Sequence, residues 1–169
     1  HVNFDLSHVE HIAVIGNVEF DHADIYSDFD AVQTAFRRLV NLVPRRGLLL
    51  IGADSPGAAA LTERAMSRVE TFGTRTDMDW QGHDLTPTPI GTRFRVRRHG
   101  EAFGEFEVPL VGAHNVRNAL AAIAVAAEAG ISRERIEEGL RLFAGVKRRL
   151  EMVGTAHGVT VFDDFAHHP

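Results

Sequence analysis

The sequence contains no cysteine, and Lys147 is its only lysine. Without cysteine the chain has no disulfide framework and no thiolate chemistry, which suits the reducing cytoplasm where we expect the protein to act. No apolar run reaches the roughly 20 residues that a membrane span needs, so we expect no membrane partner. The 18 basic and 23 acidic residues give a net charge of −5, which argues against a nucleic-acid-binding surface.

Short apolar segments alternate with segments of helical spacing in the first half of the chain. Residues 12–15 and 48–52 are apolar and lie beside glycines, a pattern that predicts buried strands, and residues 69–72 before Gly73 are predicted to form a short third strand. Apolar residues recur at helical spacing over 29–43 and 58–66, which predicts two helices. Strands without polar alternation need cover on both faces. The sequence therefore predicts an α/β fold with a mostly parallel sheet flanked by helices in three layers.

The middle of the sequence departs from this pattern. Residues 74–89 are mostly polar and include Gly82, Pro87 and Pro89, which predicts loops. Apolar and polar residues alternate on both sides of a turn at 99–101, which predicts a half-exposed antiparallel hairpin. We expect this hairpin to form a small antiparallel subsheet attached to the parallel core.

An acidic segment, residues 17–24, directly follows the first predicted strand. It contains Glu19, Asp21, His22 and Asp24. In α/β sheets, ligands bind beyond the carboxyl ends of the strands, and oxygen ligands with one imidazole suit Mg²⁺ or Mn²⁺. The alternative is a solvated loop in which Asp24 or Ser27 caps the next helix.

Polar side chains of an unusual kind open the alanine-rich segment after Gly112. Asn115 and Asn118 share one face of the predicted helix, and so do His114 and Asn118. An asparagine amide presents a donor beside an acceptor, which matches the N6 and N7 edge of adenine. The alternative is that Asn115 caps the helix and that Asn118 is a surface residue.

Two more candidate ligand-binding side chains follow residue 146. If Leu150 points into a core, strand alternation places Arg149 on the opposite face, where its guanidinium suits a phosphate or a ribose. Residues 147–149 are alternatively an ordinary basic turn. Asp163 and Asp164 end an apolar segment, and a carboxylate there is able to accept the hydroxyls of a ribose.

Four of these motifs occur in the order and spacing of the Mur ligases, which the chain resembles over nearly its whole length. They are Asn17-x-Glu19-x-Asp21-His22-x-Asp24, Gly112-x-His114-Asn115-x-x-Asn118, Lys147-Arg148-Arg149-Leu150-Glu151 and Asp163-Asp164-Phe165-Ala166-His167-His168-Pro169. Each motif alone is weak, whereas four in register are specific. Residues 19–25 and 164–166 most resemble the recycling branch of the family, which joins a murein tripeptide to UDP-N-acetylmuramate.

The resemblance implies a function for each matching residue. Mur ligases use ATP and Mg²⁺ to form amide bonds during peptidoglycan assembly. By this resemblance His22 binds Mg²⁺, Asn115 and Asn118 hold adenine with His114 nearby, Arg149 touches the nucleotide, and Asp164 binds the ribose. The implied reaction phosphorylates the substrate carboxylate to an acyl phosphate, which the peptide amine attacks as phosphate leaves.

The resemblance also implies a segment of a longer ligase. Both ends look cut, and no Gly-x-x-Gly-Lys-Thr phosphate loop occurs in the chain. We therefore expect that loop and a UDP-sugar domain upstream, and an amine-substrate domain downstream. We assign residues 1–146 to an incomplete central domain and residues 147–169 to a linker and the first hairpin of the C-terminal domain. The segment alone is expected to be inactive and to bind ATP poorly, because it lacks the phosphate loop and the flanking domains. UDP-N-acetylmuramate and the murein tripeptide are expected to bind through those flanking domains.

Two alternatives remain at this point. The first is another Mur-type or folylpolyglutamate-type ligase, above all the branch that joins L-alanine to UDP-N-acetylmuramate. The second is a metal-dependent phosphohydrolase built on Asp21, His22, Asp163 and Asp164. It predicts phosphate release without an amine acceptor.

Overall fold

The structure is a computed structural model that describes residues 12–21, 24–148 and 151–165. The strands are β1 (Ile12–Ile15), β2 (Leu48–Gly52), β3 (Arg68–Gly73), β4 (Trp80–Thr88), β5 (Gly91–Arg98), β6 (Glu101–Val108), β7 (Glu151–Ala156) and β8 (Val159–Asp163). The helices are α1 (Phe29–Leu42), α2 (Pro56–Ala59), α3 (Ala113–Glu128) and α4 (Arg133–Arg141), with a 3-10 turn at Thr62–Arg64. Among the described residues, no helix combines the length and apolar character that a membrane span requires.

The first six strands form one sheet in their order along the chain. Strands β1 to β4 are parallel to one another, whereas β4, β5 and β6 form an antiparallel meander at one edge. Strands β7 and β8 pair with each other in a separate two-stranded sheet. The mostly parallel sheet with a small antiparallel part is confirmed.

The buried side chains form two cores, one on each face of the six-stranded sheet. Along β2, Leu48 and Leu50 contact one core while Leu49 and Ile51 contact the other, as the period of two in a strand requires. The first core includes Val116, Leu120 and Ile123 of α3 and Ile136 of α4, and the second includes Val32 and Val40 of α1. Each such side chain contributes about 1.5–3 kcal/mol over an exposed one. Helices therefore cover both faces, which confirms the three-layer arrangement.

Strand β4 corrects the expectation that residues 74–89 are loops. Trp80 is wholly buried at its start, and its indole Nε1 donates a 2.6 Å hydrogen bond to the buried carboxylate of Glu70. Gly82 lies so close to α3 that a Cβ there would be 3.0 Å from a methyl carbon of Leu120. Strand β5 pairs with the backbone of β4 along most of the length of β4, and α3 packs over the first residues of β4. The polar sequence forms a strand because of these two contacts.

The expected helix over 58–66 is also wrong in its bounds. Helix α2 begins earlier, with Ser55 at its N-cap and Pro56 in its first turn, and ends at Ala59. The Thr62 hydroxyl then donates a 2.9 Å hydrogen bond to the Ala59 carbonyl oxygen, and the 3-10 turn begins at Thr62. The tighter turn brings Leu61, which is almost fully buried, into the core beneath β2.

Helix α1 begins one residue after Asp28, which is its N-cap instead of Asp24 or Ser27. One oxygen of Asp28 accepts a 2.8 Å bond from the Ala31 N–H, and the other accepts a 3.0 Å bond from the Ser27 hydroxyl. These two bonds, the Ala31 bond foremost, lower the pKa of the Asp28 carboxyl. Ser132 occupies the N-cap position of α4, although its side chain makes no capping bond.

The predicted turn between β5 and β6 is confirmed. His99 and Gly100 both have positive φ, at 49° and 82°, which is the backbone of the two-residue hairpin turns that match strand twist. His157 and Gly158 repeat this geometry between β7 and β8, with φ of 50° and 80°. Glycine at the second position of each turn avoids the strain that a Cβ would add.

Candidate functional site

A cleft of about 430 Å³ lies where β1, β2 and β3 end, against the first turns of α3. Its walls come from residues 16–19 after β1, residues 54–56 after β2, Phe72 in β3, and three side chains of α3. Sites at the carboxyl edge of a parallel sheet are the usual ligand sites of α/β folds. The cleft brings the acidic segment and the asparagine-containing helix together, although they are far apart in sequence.

The floor of the cleft depends on a close approach between the ends of β1 and β2. A Cβ on Gly52 would lie 2.1 Å from the carbonyl oxygen of Gly16, so only glycine allows the two backbones to meet. Ser55 holds the next residues in place, because its Oγ accepts bonds from the Val18 N–H at 3.3 Å and the Ala58 N–H at 3.4 Å. Val18 is buried, and it lines the cleft together with its neighbours Asn17 and Glu19.

One face of α3 forms the opposite wall. His114, Arg117 and Asn118 line the cleft, and their spacing of three and four residues places them on a single helix face. The helix begins after Gly112, whose φ of 102° suits glycine and whose position carries no side-chain cap. Two of the residues predicted to bind the nucleotide, His114 and Asn118, therefore lie at the cleft.

Asn115 has a different position from Asn118. Its side-chain Nδ2 donates a 2.9 Å hydrogen bond to the carbonyl oxygen of Val111, and the residue is not part of the cleft wall. The bond fastens the first turn of α3 to the segment before it. An adenine-binding function for Asn115 stays a prediction, and in this structure its amide donor is already engaged.

Two charged residues of the cleft, Asp54 and Arg117, were not among those predicted from the sequence. Asp54 Oδ2 accepts hydrogen bonds from the N–H and the hydroxyl of Thr74, at 2.9 and 3.1 Å, and lies 3.7 Å from Nη1 of Arg117. Asp54 directly follows an apolar strand, so the same edge argument that selected the acidic segment would have found it. Arg117 was overlooked, although it shares a helix face with His114 at a spacing of three.

The cleft also carries oxygen donors of the kind that Mg²⁺ binds. Glu19 and Asp54 offer carboxylates, and Asn17 offers an amide oxygen. Within the parts of the chain that the structure describes, no three His, Asp or Glu side chains are placed to hold a metal ion together. This donor set fits a Mg²⁺ that takes most of its ligands from water and phosphate, not a metal enclosed by protein. His22, the predicted ligand, lies outside the described residues.

Asp164, a predicted ribose-binding residue after 146, is not part of the cleft wall. Arg149 lies outside the described residues, and Asp164 is exposed beyond the end of β8. Nearby, the Phe165 N–H donates to the Arg148 carbonyl at 2.8 Å, and the Arg148 guanidinium lies 4.7 Å from the Phe165 ring centre. These contacts join the two ends of the β7–β8 hairpin. The nucleotide contacts of His22, Arg149 and Asp164 stay predictions.

Comparisons with known proteins agree with this architecture. A family model described as the Mur ligase middle domain matches residues 5–126. The UDP-N-acetylmuramate–L-alanine ligase of Salinibacter ruber is 43% identical over 158 residues, which are 94% of this chain and 33% of that protein. The chain thus spans about a third of the length of the curated relatives it matches.

Solved structures of other ligases share the fold. MurF from Acinetobacter baumannii superposes with a TM-score of 0.80 at 24% identity, over 94% of this chain and 34% of that one. The UDP-N-acetylmuramate:L-alanyl-γ-D-glutamyl-meso-diaminopimelate ligase of Neisseria meningitides superposes with a TM-score of 0.68 at 34% identity, over 80% of this chain and 40% of that one.

Proposed function

Because this chain belongs to the Mur ligase family, we propose that the protein carrying it is an ATP-dependent, Mg²⁺-dependent cytoplasmic ligase that joins L-alanine to UDP-N-acetylmuramate. The single observation that carries this proposal is the cleft, where Glu19 of the acidic segment and Asn118 of the helix motif face one space. Two motifs that the resemblance links to one nucleotide share one site, as binding of that nucleotide requires.

The choice of L-alanine reverses the first expectation. The residues at 19–25 and 164–166 favoured the recycling branch, which takes a tripeptide. Curated L-alanine ligases from three organisms are 42–43% identical over 94% of this chain, and this supports the L-alanine branch. Short motifs around a nucleotide discriminate poorly between branches, because every branch binds the same nucleotide. The tripeptide ligase remains the second candidate, favoured by those motif residues.

In the proposed reaction the residues of this cleft bind and orient the nucleotide. Asn118 offers a donor and an acceptor to the adenine edge, with His114 beside it on the same helix face. Glu19 and Asn17 would hold Mg²⁺, which when bound offsets charge on the phosphates. Held in this way, the γ-phosphate is presented to the carboxylate of the sugar substrate, and an acyl phosphate forms with release of ADP. The amine of L-alanine then attacks, and phosphate leaves.

The domain boundary near residue 146 is part of the same proposal. Strands β7 and β8 pair only with each other among the described strands, in a sheet separate from the other six. This supports residues 147–169 as a linker and hairpin of a further domain. The sites for the sugar nucleotide and for the amine are proposed to lie in the parts of the protein that this chain does not include.

The proposal is tested with the full-length protein, ATP, Mg²⁺ and UDP-N-acetylmuramate, by following ADP and phosphate release. We expect turnover that depends on L-alanine, with kcat/KM at least about 10-fold above that for the murein tripeptide, a discrimination of roughly 1.4 kcal/mol. Preference for the tripeptide would assign the protein to the recycling branch. Phosphate release without any amine would support the phosphohydrolase alternative.

A variant locates that activity in the cleft. Asn118→Ala removes the adenine contact and is expected to raise the KM for ATP about 10-fold or more, since an unpaired polar partner costs about 1–3 kcal/mol. Asn41→Ala is the control, because Asn41 is exposed on α1 and outside the cleft wall. Equal KM values for the two variants would contradict the assigned site.

A further inference from the structure

The cleft is poor in positive charge for a site that takes a polyphosphate. Among the described residues that line it, Arg117 is the only arginine or lysine, while Glu19 and Asp54 contribute carboxylates. An anion entering such a site is repelled by both carboxylates unless a cation offsets them. Among the described residues of the cleft wall, Arg117 is able to supply that cation, because its guanidinium is always charged.

The contact between Arg117 and Asp54 leaves the guanidinium able to bind a ligand. Their closest N–O distance is 3.7 Å, which is an ion pair but too long for a hydrogen bond. A guanidinium has five N–H donors, and the Arg117 side chain is 41% exposed. Asp54 therefore attracts the guanidinium toward one side of the cleft without using its donors.

Asp54 itself is held rigidly. Its side chain is only 10% exposed, and the two bonds from Thr74 fix Oδ2. Oδ1 is buried and accepts no hydrogen bond from any described residue. A buried carboxylate with incomplete hydrogen bonding strongly favours a cation beside it, because its charge is poorly solvated. The pair thus ties α3 to the ends of β2 and β3.

We propose that Arg117 is a nucleotide-binding residue that contacts the phosphate chain, and that Asp54 is a positioning residue that aims its guanidinium into the cleft. The fork of an arginine binds phosphate oxygens with two parallel hydrogen bonds. Arg117 and Asn118 both line the cleft, so a nucleotide with its base at Asn118 is able to place its phosphates within reach of Arg117. This inference rests on the proposed function for the identity of the ligand.

The test uses the full-length protein and four variants: Arg117→Gln, Arg117→Lys, Asp54→Asn and the control Arg97→Gln. Arg97 is exposed on β5 and outside the cleft wall. Dissociation constants for ATP and for adenosine are measured by calorimetry, together with melting temperatures and the KM and kcat for ATP. Adenosine lacks phosphates, so it reports the base and ribose contacts alone.

We expect Arg117→Gln to weaken ATP binding roughly 10- to 100-fold, because charge-assisted hydrogen bonds are lost, and to leave adenosine binding unchanged. Arg117→Lys should recover part of the affinity, since it keeps the charge but not the fork. Asp54→Asn should weaken ATP binding by a smaller factor and change the KM for ATP more than kcat. The control should match the parent protein.

An equal loss of ATP and adenosine binding in Arg117→Gln, or no loss in either, would overturn the inference. Arg117→Gln removes the cation beside the buried Asp54 carboxylate and is expected to lower the melting temperature, so unchanged adenosine binding shows that its cleft is still folded. Arg117→Lys keeps the charge, so the test does not depend on whether Asp54→Asn folds. If the parent protein binds ATP through Arg117 but forms no amide, the proposed function fails and this inference stands. If it forms the amide while Arg117→Gln retains ATP affinity, this inference fails alone.

Discussion

At Gly52 the backbone of β2 meets the end of β1 without room for a side chain. A Cβ would lie 2.1 Å from the Gly16 carbonyl oxygen, well inside the distance of any real contact. The atom it meets is backbone, which is not free to swing aside as the end of a flexible side chain would be. The shape of the cleft floor is therefore set by the absence of a side chain at one position.

We predict that Gly52→Ala destabilises the protein by about 1–3 kcal/mol or more, because β1 and β2 must move apart. Urea unfolding followed by the fluorescence of Trp80, the single tryptophan, measures this change. The matched control is Gly139→Ala in α4, where a Cβ meets nothing within 4 Å. It should gain about 0.5–1 kcal/mol, as an alanine in a helix does. Similar effects of the two substitutions would contradict the close approach.

Some residues of the cleft were predictable from the sequence and others were not. His114 and Asn118 were predicted because unusual polar residues open an apolar helix, and the structure places both at the cleft. Asp54 and Arg117 were missed because each has an ordinary local explanation, a loop carboxylate and a helix-surface cation. Their contact across the fold depends on where α3 lies over the sheet, which neither local sequence contains.

At the scale of elements, the start of α1 is held by a charged cap. The hydrogen bond from the Ala31 N–H, and then that from the Ser27 hydroxyl, lower the pKa of Asp28 below its ordinary 3.8. A group whose pKa is lower when folded binds its proton less tightly in the folded state. Its stabilising effect is therefore present above the unfolded pKa and is lost as the pH falls through the folded value.

We predict that Asp28→Ala lowers the melting temperature near neutral pH and that the difference from the parent shrinks as the pH falls below 3.8. Thermal unfolding at a series of pH values measures this. Asp24→Ala is the control, since Asp24 is exposed near the helix start but does not cap it. A difference that stays constant down to the most acidic pH would show that the Asp28 charge is not responsible.

Elements were predictable where their own residues decide them. Helix α1 has a clear apolar period, α3 is rich in alanine, and β2 is a continuous apolar run, so all three agree with expectation. Strand β4 was missed because its sequence is polar and contains Pro87, and its strand form comes from pairing with β5. Helix α2 was extended too far because alanines favour a helix that the bend at Thr62 interrupts.

At the scale of the whole molecule, the proposed ligase needs more than the cleft that this chain forms. We predict that the 169-residue chain alone releases no ADP with ATP, Mg²⁺, UDP-N-acetylmuramate and either amine, and that it binds ATP more weakly than the full-length protein does. The physical reason is the lack of a Gly-x-x-Gly-Lys-Thr loop in the chain, since such loops grip the phosphates. Chromatography measures the ADP and the amide product. Product formation comparable to that of the full-length protein would contradict this prediction.

The sequence by itself determined the layered α/β fold and the chemistry of two segments, because apolar periodicity and residue type are local properties. Only the tertiary structure decided which side chains share a space. The ends of β1, β2 and β3 meet at one edge because parallel strands are in register there, and α3 lies across that edge because its apolar face packs on the same sheet. Contact between Asp54 and Arg117 is a consequence of that packing, and no local pattern encodes it.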